Sequence, residues 1–158
     1  MSRLESMRRR LSAQIDGLNW AANQIADIKG DVLELGLGNG RTFDHLRQQL
    51  PDRRIWVIDR EMNAHPSCVP PRSDFLQGDA AEMLQQLARA GVRFALVHYE
   101  LGIGVADHDT ALSTKMSQHI APLMAPGGLI ISQDPMEGFD PIKGPDSVDA
   151  KRYLFYRA

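Results

Sequence analysis

The sequence predicts an α/β protein with a doubly wound, mostly parallel sheet, and three observations carry that expectation. Strand-like and helix-like segments alternate along the chain, the first strand runs into a glycine-rich turn, and acidic residues stand at the ends of three successive strands. With 158 residues, 43% hydrophobic and 24% charged, the chain suits a single domain over 1–158.

Each element has its own local reason. Residues 1–28 hold an opening helix, with a bend expected at Gly17 and an apolar stripe of Leu4, Met7, Leu11, Ile15 and Leu18; Arg8, Arg9 and Arg10 fall on its solvated faces. Asp31 to Leu35 is a strand, and a helix from Arg41 to Leu50 stops before Pro51. A second strand covers Ile55 to Ile58, and Pro66, Pro70 and Pro71 turn Arg60 to Asp74 into a loop. Phe75 to Gln77 is a short third strand, and Asp79 with Glu82 forms the capping pattern of a helix that ends at Gly91. Phe94 to Tyr99 is apolar until His98, as a strand covered on both faces should be. A fourth helix runs from Asp109 to Met124 with Leu112, Met116, Ile120 and Leu123 on one face. Leu129 to Ser132 is the fifth strand, and residues 135–158 combine an irregular connection with a last strand, Arg152 to Arg157, expected antiparallel because no crossover helix precedes it.

Charge and cysteine content narrow the function. Eighteen Lys and Arg against 20 Asp and Glu leave a net charge of −2, so no broad basic field awaits nucleic acid. The one cysteine, Cys68, makes neither an internal disulfide nor a multi-cysteine zinc site, which suits a reducing cytoplasm. No apolar run approaches the roughly 20 residues of a membrane span. The expected partner is therefore a small molecule, with no nucleic acid and no membrane. The opening helix or the last strand is the expected surface of any homo-oligomer.

The chemistry concentrates at the strand ends. Glu34 precedes Gly36, Gly38, Asn39 and Gly40, a turn bare enough for a ligand to approach its backbone. The spacing is G-x-G-x-G, and the third glycine of a dinucleotide fingerprint is replaced by Arg41, which disfavours a nicotinamide dehydrogenase. Asp59 ends the second strand, where a carboxylate can accept both hydroxyls of a ribose, and Asp79 follows the third. Such a row of carboxylates repels a pyrophosphate and favours a cationic, phosphate-free nucleoside, S-adenosylmethionine.

Taken together, V-L-E-L-G-L-G-N-G, I-W-V-I-D, Q-G-D-A, F-A-L-V-H-Y-E and A-P-G-G-L-I-I resemble the successive motifs of the class I S-adenosylmethionine-dependent methyltransferases, over 31–134, the expected cofactor-binding core. The resemblance implies a Rossmann-like sheet in strand order 3-2-1-4-5 plus the terminal antiparallel strand, shorter than the seven-stranded fold of that superfamily. It is similar to a group of short bacterial members, and it implies methyl transfer with S-adenosyl-L-methionine as donor. By that resemblance Gly36 to Gly40 face the methionine part, Glu34 organises its ammonium group, Asp59 holds the ribose with Arg60 beside it, and Asp79 accepts from the adenine amino group. Gly78 flanks that contact, and the backbone N–H of Ala80 meets a ring nitrogen.

Alternatives accompany these assignments. Asp79 serves equally as a helix N-cap, and Arg41 and Thr42 either reach the methionine carboxylate or form a solvent-facing first turn. His98, Tyr99 and Glu100 end strand four next to the expected methyl group, with His98 and Glu100 as the candidate catalytic residues. The competing reading of His98 is a buried histidine satisfied by its neighbours. No Asn-Pro-Pro-aromatic sequence occurs there, which argues against amide or adenine-amino methylation. Glu100 and Asp134 resemble the carboxylates of cation-dependent O-methyltransferases, but Pro135 follows where those enzymes have Asn, so no metal is expected; Asp107, His108 and His119 lack zinc geometry. Trp20 either closes over the sulfonium or packs against the sheet. A protein that binds the nucleoside without transferring the methyl group would carry the same glycines and carboxylates.

Overall fold

A computed structural model describes residues 1–158. Its core is one sheet in the order β3-β2-β1-β4-β5-β7-β6, formed by β1 (Asp31–Leu35), β2 (Ile55–Asp59), β3 (Phe75–Gln77), β4 (Phe94–Tyr99), β5 (Met124–Ser132), β6 (Asp140–Ile142) and β7 (Leu154–Arg157). The first five pair in parallel, and β7 runs antiparallel to both β5 and β6. The sheet therefore has seven strands: Asp140–Ile142, expected within an irregular connection, pairs with Tyr156 and its neighbours along the edge of β7. Pro141 sits in that edge strand, where a missing N–H does not interrupt the sheet.

Helices cover both faces. On one side lie α1 (Arg3–Gln24) and α2 (Arg41–Gln49), on the other α3 (Ala80–Arg89) and α4 (Ala106–Ile120). Alternation along the central strands feeds two cores. Val32 and Val57 point into the α1/α2 side, while Leu33, Ile58 and Val97 point into the α3/α4 side. No helix is long and apolar enough to cross a membrane.

Two elements differ from the sequence reading for identifiable reasons. Of the apolar stripe expected on α1 only Leu18 is fully buried: Leu4 is 78% exposed and Ile15 47%, while Ala13, Gln14, Gly17 and Ala21 join Leu18 on the buried face. Small residues line the inner face, and Gly17 lies beside Phe155 of β7, where a Cβ would stand in ordinary contact at 3.4 Å. Helix α1 continues through Gly17 as one helix whose start is closed by a capping box of Ser2 and Glu5. Helix α4 stops at Ile120 because Pro122 forces a 3-10 turn over Ala121–Leu123, and β5 begins at Met124, earlier than its apolar run suggests. The expected inner face of α4 holds, with Met116, Ile120 and Leu123 all buried.

Candidate active site

The carboxyl ends of β1, β2, β3 and β4 converge on the turn Gly36–Gly40, where the strand order reverses. Its glycines have separate duties. A Cβ on Gly36 would fall 2.5 Å from the Glu100 carbonyl oxygen, and one on Gly40 would fall 2.7 Å from the Cys68 Cβ. Close approach of the chain to itself therefore dictates both. Gly38 alone faces open space, and with Asn39 it is the exposed part of the turn.

Asp59 holds the turn from the neighbouring strand. Its Oδ2 accepts from the N–H of Leu37 at 2.7 Å and of Gly38 at 3.2 Å, and its Oδ1 accepts from Glu61 at 3.3 Å. Asp79 caps α3 by accepting from the Glu82 N–H at 3.1 Å, and Arg60 lies 3.6 Å from its other oxygen. Asp59, Arg60, Gly78, Asp79 and Ala80 line one cavity of about 480 Å³, closed on the far side by Leu101 and Ile103. Across the turn a second cavity, of about 200 Å³, is bounded by Asn39, Arg41, Glu100 and the α1 residues Arg10 and Gln14.

Beneath the turn lies a buried polar chain. Glu34 and His98 are paired residues of β1 and β4, both 0% exposed. Glu34 Oε1 accepts from Thr42 at 3.1 Å and lies 2.8 Å from His98 Nδ1. The other ring nitrogen lies 3.3 Å from both the Tyr153 hydroxyl and Glu100 Oε1. Tyr153 donates in turn to Glu100 Oε1, which also accepts from Gln14 at 2.9 Å and Gln133 at 3.1 Å. Burial opposes a charge on His98, but the flanking carboxylates of Glu34 and Glu100 outweigh it and hold the ring protonated, its pKa well above the ordinary value. Burial likewise pushes Glu100 up, yet His98 and the converging donors bring it down to about 2. Desolvation raises Glu34 above the usual carboxylate range against the pull of His98, and raises Tyr153 to about 12.

These contacts correct the expectations for His98 and Tyr99 and bear on the paired readings of Thr42 and Trp20. His98 has no exposed atom and both its nitrogens are engaged, so it acts on Glu34 and Glu100 and does not reach an acceptor. Tyr99 points to the opposite face of the sheet, buried in the α3/α4 core. The Thr42 hydroxyl donates to Glu34, and Thr42 and the exposed Arg41 both line the second cavity. Trp20 packs edge-on against Phe155 with ring centroids 5.2 Å apart, within the core on the α1 side.

The residues present fit S-adenosylmethionine. Glu34 Oε2 is buried with no hydrogen-bond partner. The N-terminus of α2 has no side-chain cap, and Asp59 and Asp79 share a cavity of nucleoside size. No group of three or more potential ligands gathers to hold a metal ion. One residue that sequence reasoning weighed only as a metal ligand stands out here. The Asp134 carboxylate, beyond β5, makes no hydrogen bond, and burial followed by the nearby Asp109 pushes its pKa up.

A family of S-adenosyl-L-methionine methyltransferases matches the chain over residues 1–158. The chain belongs to that family. Among solved structures this methyltransferase is similar to an S-adenosyl-L-methionine methyl transferase from Silicibacter pomeroyi DSS-3, with 38% identity over 99% of this chain and 98% of that one, and a TM-score of 0.91. In fold alone it is similar to CalS11, a TDP-rhamnose 3'-O-methyltransferase of calicheamicin biosynthesis, at 18% identity over 98% of this chain and 81% of that one, TM-score 0.63. The plantazolicin methyltransferase BpumL, in complex with S-adenosylhomocysteine, shares 12% identity over 81% of the methyltransferase and 49% of its own chain, TM-score 0.56. No curated protein sequence matches the chain closely.

Proposed function

We propose that this methyltransferase transfers the methyl group of S-adenosylmethionine to a small-molecule acceptor, and that the residues around Gly36–Gly40 hold the donor. The observation that carries the reading is the placement of Asp59 and Asp79 in one cavity beside the exposed Gly38, with Glu34 beneath. In it Asp59 Oδ1 takes the ribose hydroxyls, Asp79 and the Ala80 N–H take the adenine edge, and Arg41 takes the methionine carboxylate.

The donor supplies a methyl group already activated on a positively charged sulfur. The protein's work is then alignment, exclusion of water and removal of one proton. Glu100, fixed by Gln14, Gln133, Tyr153 and His98, provides negative charge beside the donor. Asp134 is the carboxylate with free valence for the acceptor proton, and its raised pKa suits that role. An acceptor oxygen or nitrogen forms its new bond to the methyl carbon, the carbon–sulfur electron pair remains on sulfur, and the acceptor proton passes to Asp134.

Calorimetry with S-adenosylmethionine, S-adenosylhomocysteine and NAD tests the donor. The first two are expected to bind and NAD is not; binding of NAD alone would overturn the reading. A screen of small metabolites with radiolabelled donor then reads the transfer itself.

A further inference from the structure

Next to the donor site lies another cavity, of about 360 Å³, and its wall is unusual in charge. Arg10 of α1 and Lys151 and Arg152 before β7 all line it. None of the three has a carboxylate within ion-pair distance, although Arg47, Arg54 and Lys143 elsewhere on the surface each have one. Arg152 is half-buried, so its guanidinium is held at the cavity wall by its packed stem. The whole chain carries a net charge of −2, so this clustering is local.

Two acidic residues share the wall with these three cations, and neither forms an ion pair with them. Asp109 is turned inward and accepts from the N–H groups of Ile103, Gly104 and Val105 at 2.8 to 3.1 Å. Asp134 stands against Gly102, its Oδ2 2.7 Å from where a Cβ there would sit. The segment after β4 ties this cavity to the donor site: Glu100 borders the small cavity by the turn, Leu101 and Ile103 border the nucleoside cavity, and Gly102 and Gly104 border this one.

Resting on the methyl-transfer reading above, we infer that this cavity holds the methyl acceptor, and that the acceptor is a small anion whose carboxylate or phosphate is gripped by Arg10, Lys151 and Arg152 while its hydroxyl or amine faces Asp134. Arg10 was placed on a solvated helix face by sequence; its position between two cavities gives it this second duty.

Benzoate, phenyl phosphate and benzamide, titrated into the protein saturated with S-adenosylhomocysteine, test the inference. At least one anion is expected to bind, and benzamide, of similar shape but neutral, at least about tenfold more weakly. The carboxylate and phosphate arms show which anion the site prefers. Arg152→Gln and Arg10→Gln are each expected to weaken the preferred anion about tenfold, with the melting temperature and the S-adenosylhomocysteine Kd unchanged for Arg152→Gln. No anion binding to the loaded protein, benzamide binding as tightly as the anions, or undiminished anion binding in both folded variants overturns the inference. Failure of S-adenosylhomocysteine to bind overturns the donor reading instead, so the two failures are distinct.

Discussion

His98 Nδ1 lies 2.8 Å from Glu34 Oε1, and the two residues are register partners on the adjacent strands β1 and β4, so the sheet itself clamps an imidazolium against a carboxylate, both fully buried. The pair supports the turn from below. Removing one partner of a buried ion pair leaves an uncompensated charge, so His98→Gln is expected to lower stability by about 3 to 5 kcal/mol. Urea denaturation measures this; a variant as stable as the native protein would show that the ring carries no charge.

Acid should unfasten the same network. The Glu100 carboxyl titrates at about 2 in the folded protein against an ordinary 4.5, so it contributes stability above pH 4.5 that is lost as pH falls through 2. The loss amounts to something on the order of 3 kcal/mol. The His98 contribution has the opposite sign: present below its ordinary 6.5, it fades only as pH rises through its raised folded value. Stability followed by denaturant titration from pH 5 to 2 should fall steeply, and Glu100→Gln should flatten that fall.

Alanine at the three turn glycines should separate packing from binding. Gly36→Ala and Gly40→Ala drive a methyl into the Glu100 carbonyl and into Cys68, and both should destabilise the fold by about 2 kcal/mol or more. Gly38→Ala meets no atom, bears only the strain of its φ of 51°, and should cost donor affinity more than stability. Melting curves alongside S-adenosylhomocysteine titrations distinguish the two outcomes.

Asp59→Ala removes the proposed charge-assisted bonds to ribose, about 1.5 to 3 kcal/mol, and so should weaken the donor roughly ten- to hundredfold. It also frees the Leu37 and Gly38 amides. Asp59→Asn, which keeps an acceptor for those amides, should recover turn order but only part of the affinity, as read by calorimetry.

Asp134→Asn tests the proton acceptor. A base works only when deprotonated, and the pKa of Asp134 is raised from 3.8, so the acid limb of the native kcat profile should lie above that value. The variant should lose that limb and about a hundredfold in kcat while holding S-adenosylhomocysteine unchanged. A limb that persists in Asp134→Asn would assign the titration to another group.

Much of this was legible in sequence because periodicity and glycine placement act locally. The five parallel strands, the antiparallel last strand and the inner face of α4 follow from such signals. The inner face of α1 did not, because small and polar residues such as Ala13, Gln14 and Ala21 are buried there by packing against remote parts of the chain, which an apolar period does not reveal. Likewise β6 has three residues with a proline at the centre, and only the edge of β7 makes it a strand. At the site, Glu34, Asp59 and Asp79 were recognisable by their strand-end positions. The pairing of His98 with Glu34 depends on strand register, and those of Thr42 with Glu34 and of Tyr153 with Glu100 on how α2 and the segment before β7 pack, none of which spacing alone reveals.

Tyr153 precedes the last strand, whereas Glu34 belongs to the first, so the polar chain linking them spans most of the polypeptide's length. An intermediate with only β1, β2 and β4 assembled would already set Glu34 beside His98 but would lack the phenol. Closing so non-local a connection is slow, and the site should therefore acquire ligand affinity late in refolding, after most helical signal has returned.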